Sequence, residues 1–120
     1  MKSMTVSKRS LMKKMDKILS LLGLSARGRN LVSGEFSTEK AVKEGKAALV
    51  IIGTDASDNT KKMFTNMCNY RSIPIYFYST KEEIGRAIGK QMRASVAVTD
   101  FGMAANIEKH LDALKECGGK

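Results

Sequence analysis

The stretch "KAALVIIGTDASDNTKK", residues 46–62, decides the fold class. Residues 47–52 form a continuous apolar run rich in branched side chains, which is typical of a strand buried on both faces. Asp55 or Ser57 can cap a helix that begins shortly after this run. Because a strand covered on both faces needs a helix layer on each side, the stretch predicts the centre of a layered α/β protein.

Strand and helix patterns alternate on either side of this stretch. Upstream, apolar residues within 11–22 recur at helical spacing and predict a helix that Gly23 is expected to end. "LVSG" predicts a short strand, and a helix is predicted over 34–44. Downstream, "IPIYFYS" and "ASVAVTD" are strands, and each is followed by a helix that polar residues such as Asp100 can cap. The order predicts a three-layer α/β/α sandwich of about four strands in a mostly parallel sheet.

The chain is long enough, at 120 residues, for one domain with its own core. We expect residues 1–9 to be a mobile basic extension, residues 10–117 to be the domain and residues 118–120 to be a tail. No apolar run approaches the roughly 20 residues of a membrane span, and the basic start lacks the apolar stretch of a secretory signal. A cytoplasmic location is expected, and a monomer is favoured, although the sequence does not fix the oligomeric state.

The charge is concentrated at one end of the chain, which has a net charge of +9. Residues 1–30 hold eight basic residues and one acidic residue, leaving only +2 for the other ninety residues. Such asymmetry favours an anionic partner, with RNA or DNA first. A membrane surface is a weaker alternative because residues 11–22 contain no aromatic side chain for an interface. A basic tail that only increases solubility explains the charge equally well.

The side chains needed for catalysis are scarce. His110 is the only histidine and lies in a helical pattern, and Cys68 and Cys117 have no metal or redox spacing, so both are expected to be reduced thiols. No glycine-rich phosphate cradle is present. Asp55 after a buried strand resembles a phospho-acceptor, but the expected acidic partners are replaced by the basic stretch "SARGRN". We therefore predict no enzyme activity, no cofactor, no metal site and no small-molecule substrate.

The helix predicted over 34–44 has two different faces. At about 100° per residue, a narrow stripe that can face the sheet contains Thr38, Ala41 and Val42. The opposite side carries Phe36, Lys40 and Lys43. An exposed aromatic residue among lysines beside free helix-start amides suits contact with unstacked bases or a nucleic-acid groove. The alternative is that Phe36 packs back as a hydrophobic staple and the lysines are merely solvated.

Two other loops carry similar residues. "SDNTKK" (57–62) opens a helix with polar groups and two lysines, and "GKQMRAS" (89–95) leads into the last strand. With parallel strands, the helix start at Gly34 and the loop at 57–62 lie at one edge of the sheet, whereas the 89–95 loop lies at the opposite edge. The predicted strand directions alone therefore do not place the three segments at the same edge of the sheet.

Residues 21–107 closely resemble the kink-turn RNA-binding ribosomal proteins of the L7Ae/L30e family, and most closely its small bacterial YlxQ-like members. The resemblance rests on five motifs in order, which are "LVSGE", "KAVKEGKAALVII", "DASDNTKK", "EEIGRAIGK" and "AVTDFGMA". It implies an α/β/α sandwich, no catalysis, and recognition of structured RNA with a kink or internal loop, as in a ribosomal or translation-associated protein. It also implies that the three segments meet in one RNA surface.

Carried over by position, this implied surface consists of Gly34, Glu35, Phe36, Ser37 and Lys40; Asn59, Thr60, Lys61 and Lys62; and Gln91, Met92 and Arg93. Backbone groups at the start of the 34–44 helix would read guanine edges of sheared G·A pairs. Phosphates would be neutralised by Lys40, Lys61, Lys62 and Arg93. Met92, together with Phe36, would pack on an unstacked base. Further phosphate contacts are expected at Arg27, Arg29, Lys43 and Lys90.

One departure separates this chain from the family pattern. Strong kink-turn binders carry Gly-x-Asn-Glu at this helix start, and here Phe36 and Ser37 stand in place of Asn and Glu. The departure leaves three alternatives to a standard kink-turn, which are a variant internal loop, another structured RNA and loss of the ancestral specificity. The alternative function is a protein–protein interaction module on the same fold that has only non-specific affinity for RNA.

Overall fold

The structure is a computed structural model that describes residues 17–118, with side chains up to residue 114. The predicted extension at 1–9, the start of the first helix and the last two residues lie outside this range. The elements are α1 (17–27), β1 (Leu31–Ser33), α2 (Glu35–Lys43), β2 (Leu49–Ile52), α3 (Asp58–Arg71), β3 (Ile75–Phe77), α4 (Lys81–Ala87), β4 (Ser95–Val98) and α5 (Phe101–Gly118). The domain boundaries at residues 10 and 117 stay predictions.

The sheet lies between two helix layers, which confirms the α/β/α sandwich and its four strands. Every residue of β2 and β4 is buried, as their continuous apolar runs predict. On one face, α1, α4 and α5 cover alternate strand residues such as Leu49 and Ile51. On the other face, α2 and α3 cover Val50 and Ile52. The two interleaved sets of residues are the two halves of the hydrophobic core.

The prediction of a mostly parallel sheet is wrong. The strand order is β1-β4-β2-β3, and only the β2–β3 pair is parallel. β4 inserts between β1 and β2 and runs antiparallel to both. The error has a physical cause, because a continuous apolar run reports that a strand is covered on both faces and carries no information about its direction.

The prediction that Gly23 ends the first helix is also wrong. α1 continues through Gly23 to residue 27. Gly23 is buried where α1 crosses α4, and a β-carbon added there would lie 2.7 Å from the carbonyl oxygen of Ala87. The glycine is therefore explained by the close approach of two helices rather than by helix termination.

Polar N-cap residues begin three helices, and two of them, Ser57 and Asp100, are predicted from the sequence. Ser57 accepts a hydrogen bond from the Thr60 amide at the start of α3 (3.2 Å). Thr80 does the same for α4, and Asp100 accepts from the Met103 amide at the start of α5 (2.8 Å). These polar residues satisfy amides that the helices leave without internal partners, which fixes where each helix begins.

Features associated with catalysis and membranes are sparse in the described part of the chain. Cys68 is a free, buried cysteine, and burial raises the pKa of its thiol to about 11, so it is an unreactive core residue. His110 is half-buried on α5. Among residues 17–118 no group of three or more acidic, histidine or cysteine side chains is arranged to hold a metal ion. None of the described helices is long and apolar enough to cross a membrane.

Candidate nucleic-acid interface

The antiparallel direction of β4 brings the three predicted segments to one edge of the sheet. The start of β4 lies beside the ends of β1 and β2, where the Gly34 amide donates to the Ser95 carbonyl (2.9 Å) and the Gly53 amide donates to Ala94 (2.8 Å). The expectation that the 89–95 loop lies at the opposite edge is wrong, because it assumed that this last strand is parallel to its neighbours. We call residues 34–40, 57–62 and 89–93 together the loop edge.

The first segment of the loop edge opens α2 without a side-chain cap. Gly34 has a φ of +93°, a backbone conformation that favours glycine, and its carbonyl accepts the first helical bond from the Thr38 amide (2.9 Å). No side chain caps this end, so the first-turn amides are presented at the edge together with the positive end of the helix dipole.

The two faces predicted for α2 are confirmed. Its buried residues are Thr38, Ala41 and Val42. Phe36 keeps 78% of its surface exposed, so it does not pack back as a hydrophobic staple. Lys40 is exposed one turn from the helix start. An exposed aromatic side chain beside a lysine is therefore a feature of the folded chain and not only of its helical pattern.

The second segment begins α3. The Ser57 hydroxyl accepts from the Thr60 amide and donates to the Thr60 hydroxyl (3.0 Å), so both polar side chains build the helix start. Asn59 and Lys62 are exposed, and Lys61 is half-buried. The segment therefore presents one amide side chain and two ammonium groups beside a capped helix start.

The third segment presents Gln91 and Met92 to solvent and holds Arg93 more firmly. Met92 is 55% exposed. The Arg93 Nε donates to the Ser33 hydroxyl (3.2 Å), next to the start of α2, and its Nη1 donates to the Met92 carbonyl (2.9 Å). The two bonds thus hold the guanidinium between the end of β1 and the third segment.

The start of α4 connects the segments through its backbone. The Lys81 amide donates to the Asp55 carboxylate (2.9 Å), just before the second segment, and the Lys81 carbonyl accepts from the Arg93 amide (3.1 Å) of the third. Asp55 therefore anchors α4, and Ser57 is the cap of α3. Sequence reasoning missed the roles of Ser33 and Lys81, because the partners in these bonds are between 12 and 60 residues apart and no local pattern signals them.

The four further phosphate candidates are not all placed at the loop edge. Lys90 lies in its third segment. Arg27 and Arg29 precede β1 and therefore lie at the opposite edge, where the Thr99 amide donates to the Asn30 carbonyl (2.8 Å). Lys43 is at the far end of α2 and pairs with Glu39 (2.8 Å). Only Lys90 of the four is brought together with the three segments.

The mixed four-stranded sheet between two helix layers, with three loops gathered at one edge, defines a class of small single-domain α/β/α proteins. Residues 16–108 match the sequence model of the family described as "Ribosomal protein L7Ae/L30e/S12e/Gadd45 family". The chain belongs to this family, as its sequence motifs predict.

Four similar proteins extend this finding. The chain is 44% identical over 92 residues to the RNA-binding protein YlxQ of Bacillus subtilis, a match that covers 77% of this chain and 92% of that protein. It is 31% identical over 96 residues to the RNA-binding protein YlxQ of Enterococcus faecium, a match that covers 80% of this chain and 92% of that protein. A solved structure of a Bacillus halodurans protein of unknown function superposes with a TM-score of 0.78 at 41% identity, covering 80% of this chain and 97% of that one. The Giardia lamblia 15.5kD RNA binding protein superposes with a TM-score of 0.71 at 26% identity, covering 88% and 90%.

Proposed function

We propose that this protein is a non-catalytic RNA-binding protein that recognises structured RNA, a kink-turn or a related internal loop, at the loop edge. The proposal rests mainly on one observation. Three segments that together carry exposed apolar side chains and basic side chains lie next to each other at one edge of the sheet. The named function of two sequence relatives and of one structural relative supports RNA as the partner. A ribosomal or other cytoplasmic RNA in translation fits this role.

Electrostatics at the loop edge favours a polyanion. Its three segments contain five basic residues and three acidic ones. Lys40 and Lys62 are exposed, and Lys61 and Arg93 are half-buried. In the proposed complex these four residues contact phosphates, which position the RNA without reading its sequence. Because each such contact releases counterions, the affinity depends on salt.

Base recognition in the proposed complex is divided between backbone and apolar groups. The uncapped amides after Gly34 offer donors to guanine edges in a widened groove, and the exposed Asn59 and Gln91 can add polar contacts. Phe36 and Met92 supply flat or flexible apolar surface for an unstacked base. Phe36 and Ser37 replace the Asn and Glu typical of the family, so stacking contributes more to the affinity here than side-chain readout of G·A pairs.

A titration with two RNAs tests this proposal. One RNA is a hairpin interrupted by an internal loop, and the other is an uninterrupted hairpin of the same length and charge. We expect the protein to bind the interrupted hairpin more tightly at physiological salt, because only unstacked bases can reach Phe36 and Met92. Equal affinity for the two RNAs, or no binding to either, would contradict the proposal.

Lys40→Ala is expected to weaken binding to all RNAs by a similar factor. It should also reduce the slope of log affinity against log salt by about one unit, because one phosphate contact is lost. The measurement is a fluorescence titration at several salt concentrations. Lys109→Ala, which removes an exposed lysine on α5, is the matched control and should leave the slope unchanged. An unchanged slope for Lys40→Ala would remove Lys40 from the interface.

A further inference from the structure

Gly85 lies where the third segment of the loop edge passes over α4. The residue is buried in the middle of this short helix. A β-carbon added to it would lie 2.6 Å from the carbonyl carbon of Gln91, closer still to the carbonyl oxygen, and 3.1 Å from the Cα of Met92. These are backbone atoms, so the conflict is not relieved by a side-chain rotation. The loop backbone occupies the space that any other residue at position 85 would fill.

Hydrogen bonds hold the loop in this place. The Lys90 amide donates to the Gly85 carbonyl (2.7 Å), and the Arg93 amide donates to the Lys81 carbonyl (3.1 Å), one turn earlier in the same helix. Residues 90–93 therefore run back along α4, from its end toward its start. Gly85 accepts the first of these bonds, and its α-carbon faces the backbone of residues 91 and 92.

The position of the loop determines what the loop edge presents. Met92 is exposed, and Arg93 reaches the Ser33 hydroxyl across the edge. If the loop backbone were raised from α4 by the width of a methyl group, the Arg93 amide would leave Lys81 and the guanidinium would leave Ser33. Both side chains would then be presented from a moving loop instead of a fixed one.

We propose that Gly85 is a positioning residue for RNA recognition, since its missing side chain lets the 89–93 loop seat on α4 and present Met92 and Arg93 in a fixed geometry. The inference rests on the proposed function for its consequence in binding. The seating itself is a property of the free protein, and it can be measured without RNA. Gly85 itself contacts no RNA in the proposed complex and acts only through the loop.

Amide hydrogen exchange of free Gly85→Ala tests the seating. We expect the Arg93 amide to exchange about tenfold faster or more, relative to the buried Val50 amide of β2, because the loop opens locally while the sheet stays folded. Gly23→Ala is the matched control, since its β-carbon also meets backbone, but that of Ala87 in α4 and not that of the loop. The control should change the two amides in parallel. An unchanged Arg93-to-Val50 ratio in Gly85→Ala would overturn the proposal.

A second pair of variants keeps the test valid if Gly85→Ala does not fold. Lys90→Pro removes the amide that donates to the Gly85 carbonyl, whereas Lys90→Ala removes the same ammonium group and keeps that amide. Lys90→Pro should accelerate Arg93 exchange, and Lys90→Ala should not. Equal exchange in the two variants would overturn the seating.

Binding of the interrupted hairpin then links seating to recognition. We expect Gly85→Ala to bind about tenfold more weakly, and Met92→Ala to have little further effect in that background, because a displaced Met92 no longer contacts RNA. Wild-type affinity in Gly85→Ala, with the loop shown by exchange to be open, would overturn the proposal. Failure of the wild-type protein to bind any RNA would instead contradict the proposed function, and the exchange data would still decide whether Gly85 seats the loop.

Discussion

Phe36→Ala is expected to weaken RNA binding by about 1–3 kcal/mol, which is the usual contribution of one aromatic side chain stacked on a base. The side chain is 78% exposed at the start of α2, so its removal from the free protein takes away little packing. The melting temperature should therefore stay close to that of the wild type, with a stability change within about 0.5 kcal/mol. The measurement is a pair of experiments on one sample, an RNA titration and a thermal melt.

Phe101→Ala is the matched control for this experiment. Phe101 is 73% exposed, close to the exposure of Phe36, but it begins α5 after the end of β4, at the opposite edge of the sheet. Its removal should leave RNA affinity unchanged. If the two variants lose equal affinity, the aromatic side chains act non-specifically and Phe36 has no special place in the interface. A large fall in melting temperature for Phe36→Ala would make it a structural residue.

Phe64→Ala is expected to destabilise the protein by about 3–5 kcal/mol, because it removes a large side chain from a close-packed site. Phe64 is fully buried on α3 and belongs to the core half that includes Val42, Val50 and Cys68. Small domains have only about 5–15 kcal/mol of stability in total, so this loss is a large fraction of it. Urea unfolding followed by circular dichroism measures the change.

The same variant separates a core residue from an interface residue. Phe64→Ala should lose RNA affinity only to the extent that the variant is unfolded, because RNA binds the folded state. Excess RNA should therefore raise the apparent stability of this variant. Phe36→Ala should show the reverse, with full stability and weak binding. A destabilisation below about 1 kcal/mol for Phe64→Ala would mean that the α3 layer is not packed as described.

Sequence patterns predicted most of the secondary structure, because strands and helix starts are local features. The apolar run at 47–52 predicted that β2 is a buried strand, and Ser57 and Asp100 predicted the starts of α3 and α5. Strand direction was not predictable in the same way, since burial on both faces is common to parallel strands and to an antiparallel strand in the centre of a sheet. The helical glycine at Gly23 was misinterpreted, because close packing and helix termination both select glycine.

The candidate site shows the same division. The outward placement of Phe36 follows from helical periodicity, and it is confirmed by its exposure. The meeting of the three segments came only from the family resemblance, because it depends on the antiparallel β4. The bonds from Arg93 to Ser33 and from Lys81 to Asp55 join residues 60 and 26 positions apart, and no periodicity signals such partners.

Recognition of structured RNA at the loop edge is tested most directly by a binding titration against a kink-turn RNA and the same RNA with its sheared G·A pairs replaced by Watson–Crick pairs, each at low and high salt. We expect tighter binding to the intact kink, with a preference that persists at high salt, because donors after Gly34 and the apolar groups Phe36 and Met92 are not screened by ions. Equal binding that falls steeply with salt for both RNAs would contradict it. Such a result would leave only phosphate contacts at the loop edge and would favour a protein partner for this chain.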